Sequence, residues 1–296
     1  MRAYQFVTEA KAGKVIKLGL FSDIHFDSPD CDRETLKKHF DFCLKDGRYI
    51  LINGDWFDAI ILSDRKRSVP HLIENTDSQL NKKLEESYEF LKPYQKNILF
   101  MGRGNHSESI MKYNGLDMLQ MLTTMLNMGQ EHKVLYGNYA NFLRFTFKKK
   151  DRKEFNYDMY VHHGSGGNAP VTKGIIDWSR IGKSVNADLI WLGHRHNAII
   201  DASDPVLSIQ PNGEILLKNR QCIQTPSYQK GRSIDGNINF AERFYTNQAL
   251  AGFGEVNLTL NGTHASYEII PDVKITTRPR ITIGQLQTSV LKQKTR

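Results

Sequence analysis

Cysteine and long apolar runs are both scarce in this 296-residue sequence. The three cysteines, at positions 31, 43 and 222, are too few and too far apart for a disulfide framework or a cysteine-based zinc site. No run of about 18 apolar residues is present, so we expect no membrane span, and the first residues lack the apolar stretch of a secretory signal. These absences favour a cytoplasmic globular protein with reduced thiols.

Acidic residues are missing from the end of the chain. Residues 274–296 contain six basic residues and no acidic residue, so they carry six of the eight net positive charges. We therefore predict a single domain over 1–273, with a net charge of only +2, followed by a basic tail over 274–296. Such a tail is typical of contacts with nucleic acid or another polyanion, and a solvated tail without a specific partner would have the same composition. The sequence leaves the oligomeric state open.

Short apolar runs are the strongest structural signal. Five of them are four to seven residues long and rich in β-branched or aromatic residues, which predicts buried strands. They span residues 15–21, 49–52, 98–101, 157–161 and 189–192.

Helical patterns separate several of these runs. We predict helices over 32–45, with Asp32 as the N-cap, over 77–91 and over 116–128. Residues 59–78 form a polar insertion without a clear pattern. The second half of the chain is richer in strands, and this order of elements predicts an α/β sandwich with mixed sheets. The later strands are predicted over 205–209, 214–217, 255–260 and 264–270.

Each of the five buried runs is followed by a polar cluster. In open α/β sheets, ligands bind beyond the carboxyl ends of the strands, so five such clusters are expected to converge. The clusters are Ser22–His25, Asn53–Asp58, Gly102–His106, His162–Gly167 and Gly193–His196.

The residue types in these clusters indicate a metal site. Imidazoles with a few carboxylates and an amide suit manganese, which we take as the first candidate, and also iron, zinc, nickel or cobalt. Seven candidate ligands exceed the four that one tetrahedral ion takes, so two divalent ions that share a carboxylate are expected. The candidate ligands are Asp23, His25, Asp55, Asn105, His162, His194 and His196.

The ordered set of motifs resembles the calcineurin-like metallophosphoesterase superfamily over residues 15–196. The resemblance implies a four-layer sandwich of two mixed β-sheets flanked by helices, and metal-dependent hydrolysis of phosphate esters. The motifs are Asp23-x-His25, Gly54-Asp55-x-x-Asp58, Gly104-Asn105-His106, His162 and Gly193-His194-x-His196.

The resemblance also implies roles for individual residues. Asp23, His25, Asp55 and His196 would hold one metal. Asp55, Asn105, His162 and His194 would hold the other, so that Asp55 bridges the two ions. His162 is preferred to His163 because it comes first after its strand.

Other residues are expected to act on the substrate. The resemblance places His106 beside the leaving group, where it would donate a proton while Asp58 orients it. Arg103, Gly164 and Ser165 are candidate contacts to the substrate phosphate. For Gly164 and Ser165 a flexible loop after the strand is an equal alternative.

Departures from the family pattern narrow the expected substrate. Phosphoprotein phosphatases of the superfamily carry arginine where this sequence has Ala59, and an acid where it has Ser107, although Arg103 does resemble that branch. Gly54–Asp58 looks closer to the motif of DNA repair exonucleases. We therefore expect a phosphodiesterase, with a DNA nuclease as the specific candidate. The alternatives are a phosphomonoesterase acting on nucleotides or phosphoproteins, and a catalytically silent binding module.

Overall fold

The structure is a computed structural model. It describes residues 1–59, 79–150, 154–167, 172, 174–209, 213–230, 250–262 and 267–277. The predicted polar insertion lies outside the described residues except for Ala59, and so does the chain from residue 278 onward.

The described chain contains strands and helices in mixed order. The strands are β1 (Arg2–Glu9), β2 (Val15–Ser22), β3 (Tyr49–Asn53), β4 (Ile98–Gly102), β5 (Leu135–Tyr136), β6 (Ala140–Lys148), β7 (Glu154–His162), β8 (Leu189–Leu192), β9 (Ile199–Ile209), β10 (Ile215–Gln224), β11 (Gly252–Gly262) and β12 (Tyr267–Thr277). The helices are α1 (Arg33–Lys45), α2 (Gln79–Leu91), α3 (Asn105–Asn114), α4 (Met118–Asn127) and α5 (Ile175–Gly182), with a 3₁₀ helix over Lys92–Asn97.

The strands form two six-stranded sheets with parallel and antiparallel neighbours. One sheet has the order β12-β11-β2-β3-β4-β5, in which β2 to β5 are parallel and β11 runs antiparallel to both of its neighbours. The other has the order β1-β6-β7-β8-β10-β9, in which β7, β8 and β10 are parallel. The predicted mixed sheets are therefore confirmed.

Alternating side chains of the central strands sort into different layers. In β3, Leu51 belongs to the core between the two sheets, whereas Ile50 and Ile52 pack with residues of α1, α2 and α4. In the second sheet, Tyr160 and Ile190 pack on the outer face with Trp178 of α5. This period of two follows from the pleat of a strand. It produces four layers, helices outside and sheets inside, as the resemblance implied.

Most predicted elements are confirmed, with shifted ends. Asp32 caps α1, because its Oδ1 accepts a hydrogen bond from the Thr35 N–H at 3.1 Å. The strands β9 and β10 extend well beyond the short runs predicted for them. Several described elements were not predicted, among them β1, β5, α3, α5 and the 3₁₀ helix. β1 was missed because it is a partly exposed edge strand whose pattern is weak.

The predicted start of the basic tail is wrong. Residues 274–277 are the last four residues of β12, where Lys274 lies opposite Glu255 of β11. The Lys274 ammonium is 3.5 Å from the Glu255 carboxylate, so its charge is paired within the sheet. A separate tail can begin only at residue 278. The prediction that 1–273 form a single domain stays a prediction.

All three cysteines are buried, and none of them forms a disulfide. None of the helices in the described part of the chain combines the length and the apolarity needed to cross a bilayer.

Candidate metal centre

The predicted clusters meet where the two sheets come together. Three of them follow the parallel strands β2, β3 and β4 of one sheet, and two follow the parallel strands β7 and β8 of the other. Direct contacts join the two sides. The Asn53 amide donates to the His162 carbonyl at 3.0 Å, and the His194 N–H donates to the Asp23 carboxylate at 2.9 Å. Residues far apart in the chain therefore form one site.

The backbone is strained at the predicted ligands. Within the described residues, six non-glycine residues have positive φ angles, and five of them are predicted ligands. Such conformations cost on the order of 1–3 kcal/mol each and concentrate at functional sites. They turn the chain sharply beyond the strands β2, β3 and β8. The six are Asp23, His25, Asp55, Ala59, His194 and His196.

Potential ligand atoms among the described residues form three groups, and Asp55 belongs to two of them. Asp23, His25 and His196 offer atoms within 4.8 Å of one another, and so do Asp55, His163 and His194. A third such group joins Asp55 to His25 and His106. Asp55 therefore has potential ligands in two groups, as a bridging carboxylate requires.

The structure places His163, rather than the predicted His162, in the second group. The His163 Nε2 atom is 2.9 Å from Asp55 Oδ2 and 3.0 Å from the Asn105 side-chain oxygen. The His162 ring turns the other way, and its Nδ1 accepts a hydrogen bond from the Gly164 N–H at 2.9 Å. The prediction of His162 is therefore corrected to His163.

Strand alternation explains this correction. Tyr157, Met159 and Val161 of β7 all point into the core between the sheets, so the next residue on that face is His163. His162 lies on the other face with Tyr160, and their rings stack at 6.1 Å. The alternating pattern was present in the sequence, and it predicts position 163 once the inner face is known.

Close packing restricts two neighbouring positions to glycine. A Cβ atom at Gly104 would lie 2.1 Å from Asp55 Oδ1, and one at Gly54 would lie 2.1 Å from His163 Nδ1. No side chain fits at such distances. The glycines in these motifs let the ligand side chains approach the backbone.

The buried carboxylates stay negatively charged. Burial alone would raise the pKa of Asp23, but the nearby His163 and His196 lower it to about 2. The pKa values of Asp55 and Asp58 are likewise lowered by neighbouring histidines against the effect of burial. Burial lowers the pKa of His163, but Asp55 and Asp23 outweigh it and raise that pKa to about 9. Three buried anions in one place favour the binding of cations.

One buried imidazole atom supports a metal ligand role directly. His25 is 2% exposed, and its Nε2 has no hydrogen-bond partner among the described residues. Its other ring nitrogen, Nδ1, is 3.1 Å from Asp58 Oδ1. A carboxylate at Nδ1 leaves the Nε2 lone pair available, the arrangement seen in metal-bound histidines. An unpartnered buried nitrogen is costly, so this donor set fits a divalent metal.

Asp58 contacts two histidines, of which the sequence predicted one. His106 Nδ1 is 2.7 Å from the Asp58 carbonyl oxygen and 3.1 Å from its carboxylate, which agrees with the predicted pairing. The Asp58 contact with His25 was not predicted, because the motif order does not show which imidazoles face this carboxylate. Asp58 thus links the expected proton donor to the expected metal site.

The predicted phosphate contacts are engaged elsewhere. Arg103 pairs with Asp117 at 3.0 Å and also contacts the Tyr136 hydroxyl. The Gly164 N–H is taken by His162, and the Ser165 carbonyl accepts from Arg195 at 2.8 Å. The contacts of Arg103 and of the Gly164 N–H do not support a role for these two residues in binding phosphate. The contact of Ser165 occupies only its carbonyl, so its role stays a prediction.

A loop outside every predicted cluster supports Asp23. The Ser227 hydroxyl and the Tyr228 N–H both donate to the Asp23 carbonyl, at 2.7 and 3.1 Å. The loop follows β10, which is parallel to β8 and ends at the same edge. Its polar residues after a strand were the available signal, but the weak strand pattern before them concealed it.

Comparison with known proteins agrees with this geometry. Residues 16–198 match the family model for calcineurin-like phosphoesterases. No curated protein matches the chain. Three solved structures are similar at low identity, and likenesses of this size say nothing about activity. Vacuolar protein sorting 29 from Cryptosporidium parvum is 13% identical, with a TM-score of 0.36, over 89% of this chain and 99% of that one.

The other two likenesses are of the same kind. GAP50 of Plasmodium is 13% identical, with a TM-score of 0.43, over 93% of this chain and 94% of that one. Protein TM1076 of Thermotoga maritima is 12% identical, with a TM-score of 0.29, over 89% and 99%. The family match spans more than half of the chain and every motif from Asp23 to His196. The chain therefore belongs to the calcineurin-like phosphoesterases, a family whose members are in general metal-dependent hydrolases of phosphate esters.

Proposed function

We propose that this protein hydrolyses phosphate diesters with two divalent metal ions, manganese being the first candidate. The observation that carries the proposal is that the buried Asp55 shares one group of potential ligands with His25 and another with His163 and His194. One ion would be held by Asp23, His25, Asp55 and His196, and the other by Asp55, Asn105, His163 and His194.

The chain and the ions divide the chemistry between them. When bound, two divalent cations would lower the pKa of water, so that hydroxide is available near neutral pH, and would stabilise the negative charge of the phosphoryl oxygens. His106 supplies the proton. Its Nδ1 is held by Asp58, so its Nε2 remains as the atom that donates a proton to the leaving oxygen.

Among the described residues, the charges beside the site favour a diester over a monoester. A monoester carries about two negative charges near neutral pH and a diester carries one, so a monoester needs more cationic partners. Arg103 is paired with Asp117, and Arg195 is paired with Asp177. Ala59, which replaces the arginine of phosphoprotein phosphatases, is buried. Trp56 is also buried against Phe26, so base stacking on Trp56 does not support a nuclease activity.

A substrate comparison tests the proposal. We expect the purified protein with Mn²⁺ to hydrolyse bis-p-nitrophenyl phosphate faster than p-nitrophenyl phosphate. Assays with single- and double-stranded DNA and RNA then test for nuclease activity. Nuclease activity and a cytoplasmic location are both part of the proposal. Faster hydrolysis of the monoester would favour a phosphomonoesterase. No hydrolysis of any substrate, with Mn²⁺, Fe²⁺, Co²⁺, Ni²⁺ or Zn²⁺, would favour a silent binding module.

Adjacent histidines provide a matched pair for the metal assignment. We expect His163→Asn to lose one of two Mn²⁺ ions in calorimetric titration, because it removes the imidazole beside Asp55 and Asn105. His162→Asn should keep both ions, because that ring contacts the Gly164 backbone instead. The opposite result would restore His162 as the ligand.

We expect the basic tail to bind polyanions without contributing to the hydrolysis of the ester. Residues 278–296 contain five of the six tail cations. Deleting them should weaken binding to a single-stranded oligonucleotide and flatten its salt dependence, by up to about 3.5 in the log–log slope at about 0.7 per lost contact. Turnover of bis-p-nitrophenyl phosphate should be unchanged.

The cut must follow Thr277, because a cut at 273 would shorten β12. Unchanged oligonucleotide binding would show that the tail has no such role. Loss of folding after this cut would show that the tail is structural.

A further inference from the structure

We propose that Asp27 is a positioning residue that acts on His106 through Asp58. The inference rests on the proposed function. Asp27 lies two residues beyond His25, outside every motif that carried the resemblance. Its side chain is fully buried, which is unusual for a carboxylate unless it has several partners.

Both oxygens of Asp27 bind the loop that carries Asp58. Oδ1 accepts from the Asp58 N–H at 2.5 Å, and Oδ2 accepts from the Ala59 N–H at 2.9 Å. Ala59 has a φ of 49°, a left-handed conformation that alanine adopts only when its surroundings hold it. The Asp27 carboxylate therefore stabilises a strained turn.

Further hydrogen bonds join the segment that precedes Asp27 to the segment that precedes Asp58. The His25 N–H donates to the Asp55 carbonyl at 2.9 Å, and the Phe26 N–H donates to the Trp56 carbonyl at 2.7 Å. Asp27 continues this series with its side chain. The position of Asp58 is thus determined by the segment that also carries His25.

The turn matters because of where it puts Asp58. Asp58 Oδ1 is 3.1 Å from both His25 Nδ1 and His106 Nδ1, and the Asp58 carbonyl is 2.7 Å from His106 Nδ1. A shift of this backbone would change both contacts to His106 at once. Small displacements of a proton donor are enough to slow proton transfer.

A lysine on α2 completes the arrangement. The Lys83 ammonium is 2.7 Å from Asp27 Oδ2 and partly exposed, so it neutralises the buried carboxylate from the outer side. Asparagine at position 27 could accept one of the two N–H bonds, but its NH₂ group would face the other donor. The arrangement therefore requires a carboxylate and not merely a polar side chain.

The first test uses Asp27→Asn in the full-length chain with Mn²⁺. For a diester with a poor alkoxide leaving group, such as a dinucleotide, kcat should fall about tenfold, within the range for residues that orient a functional group. For bis-p-nitrophenyl phosphate, kcat should fall less than about threefold, because its leaving group needs little protonation. Asp58 also contacts the proposed ligand His25, so the double variant is assayed at saturating Mn²⁺. Under that condition, Asp27→Asn in a His106→Ala background should cause no further loss on the dinucleotide. A purely structural role would lower both rates equally and would add to the His106→Ala defect.

Two variants on α2 keep the test decisive if Asp27→Asn folds poorly. Lys83→Gln removes the partner of Asp27 and should show a smaller loss with the same leaving-group dependence. Lys82→Gln changes the adjacent, exposed lysine and should match the parent. Equal effects of Lys83→Gln on both substrates would overturn the inference.

A readout without catalysis separates this inference from the proposed function. In the metal-free chain, at a pH at which the His106 imidazole is neutral, its nitrogen NMR signals should show the single Nδ1–H tautomer that donates to Asp58, assigned by their loss in His106→Gln. Asp27→Asn should broaden or mix that tautomer, and unchanged signals would contradict the inference. If the parent hydrolyses no ester but the signals respond as expected, the proposed function fails and the positioning of His106 stands.

Discussion

Replacing His106 with alanine should lower kcat on a dinucleotide by about 10²–10⁴, the range typical of a general acid. Both metal ions should remain bound in a Mn²⁺ titration, since His106 is assigned to the leaving group and not to a metal. The loss should shrink for bis-p-nitrophenyl phosphate, whose p-nitrophenolate leaving group needs little protonation. The variant should fold, because the His106 N–H bond to Asp55 Oδ1 comes from the backbone and survives the change.

Asp58→Asn is the matched comparison for this prediction. It should show a milder loss than His106→Ala, because the Asp58 carbonyl that lies 2.7 Å from His106 Nδ1 is unaffected. It should also weaken the first metal, because Asp58 contacts His25 Nδ1. His106 shares a potential ligand group with His25 and Asp55. If His106→Ala removes a bound metal ion, or if it lowers kcat equally for good and poor leaving groups, the assignment of His106 as proton donor is wrong.

Replacing Asp55 with alanine should remove most of the bound metal at both sites. Asp55 belongs to two of the groups of potential ligands and is proposed to bridge the ions, so its loss would remove a ligand from each ion. We expect Mn²⁺ affinity to fall by more than about 100-fold, above the 10–100-fold typical of residues that only support a ligand. Metal content after dialysis and a calorimetric titration would measure the loss.

Asp55→Asn serves as the control for folding. Asparagine tolerates the left-handed backbone at this position, where φ is 42°, and its oxygen can still accept from the His106 N–H. It should fold like the parent and still lose the bridging function, because a neutral amide cannot replace the shared carboxylate. Retention of both ions by Asp55→Asn would show that Asp55 does not bridge them.

Much of the site could be predicted because its residues follow buried strands. The apolar runs that become β2, β3, β4, β7 and β8 are local patterns, and each ends next to a polar cluster. Parallel strands bring such clusters to one edge of a sheet whatever the rest of the fold does. The ligand types and their convergence therefore follow from short segments of sequence.

Roles that depend on the direction in which a side chain points were predicted less well. The choice between His162 and His163 depends on which face of β7 turns inward, and that is determined by the opposite sheet. Arg103 was predicted to contact phosphate because the sequence does not show that its guanidinium pairs with Asp117. The tail boundary was misplaced because only pairing with β11 shows where β12 ends.

Short segments of sequence were enough to predict the ligand types, the strand ends that carry them and the family to which the chain belongs. Tertiary structure alone decided which groups support those ligands. Asp27 holds the backbone of Asp58, Ser227 holds that of Asp23, and Asp117 takes the charge of Arg103. Each of these contacts joins residues that are distant in the chain. No local pattern encodes such a pairing, because it exists only once separate segments of the chain have been brought together by folding.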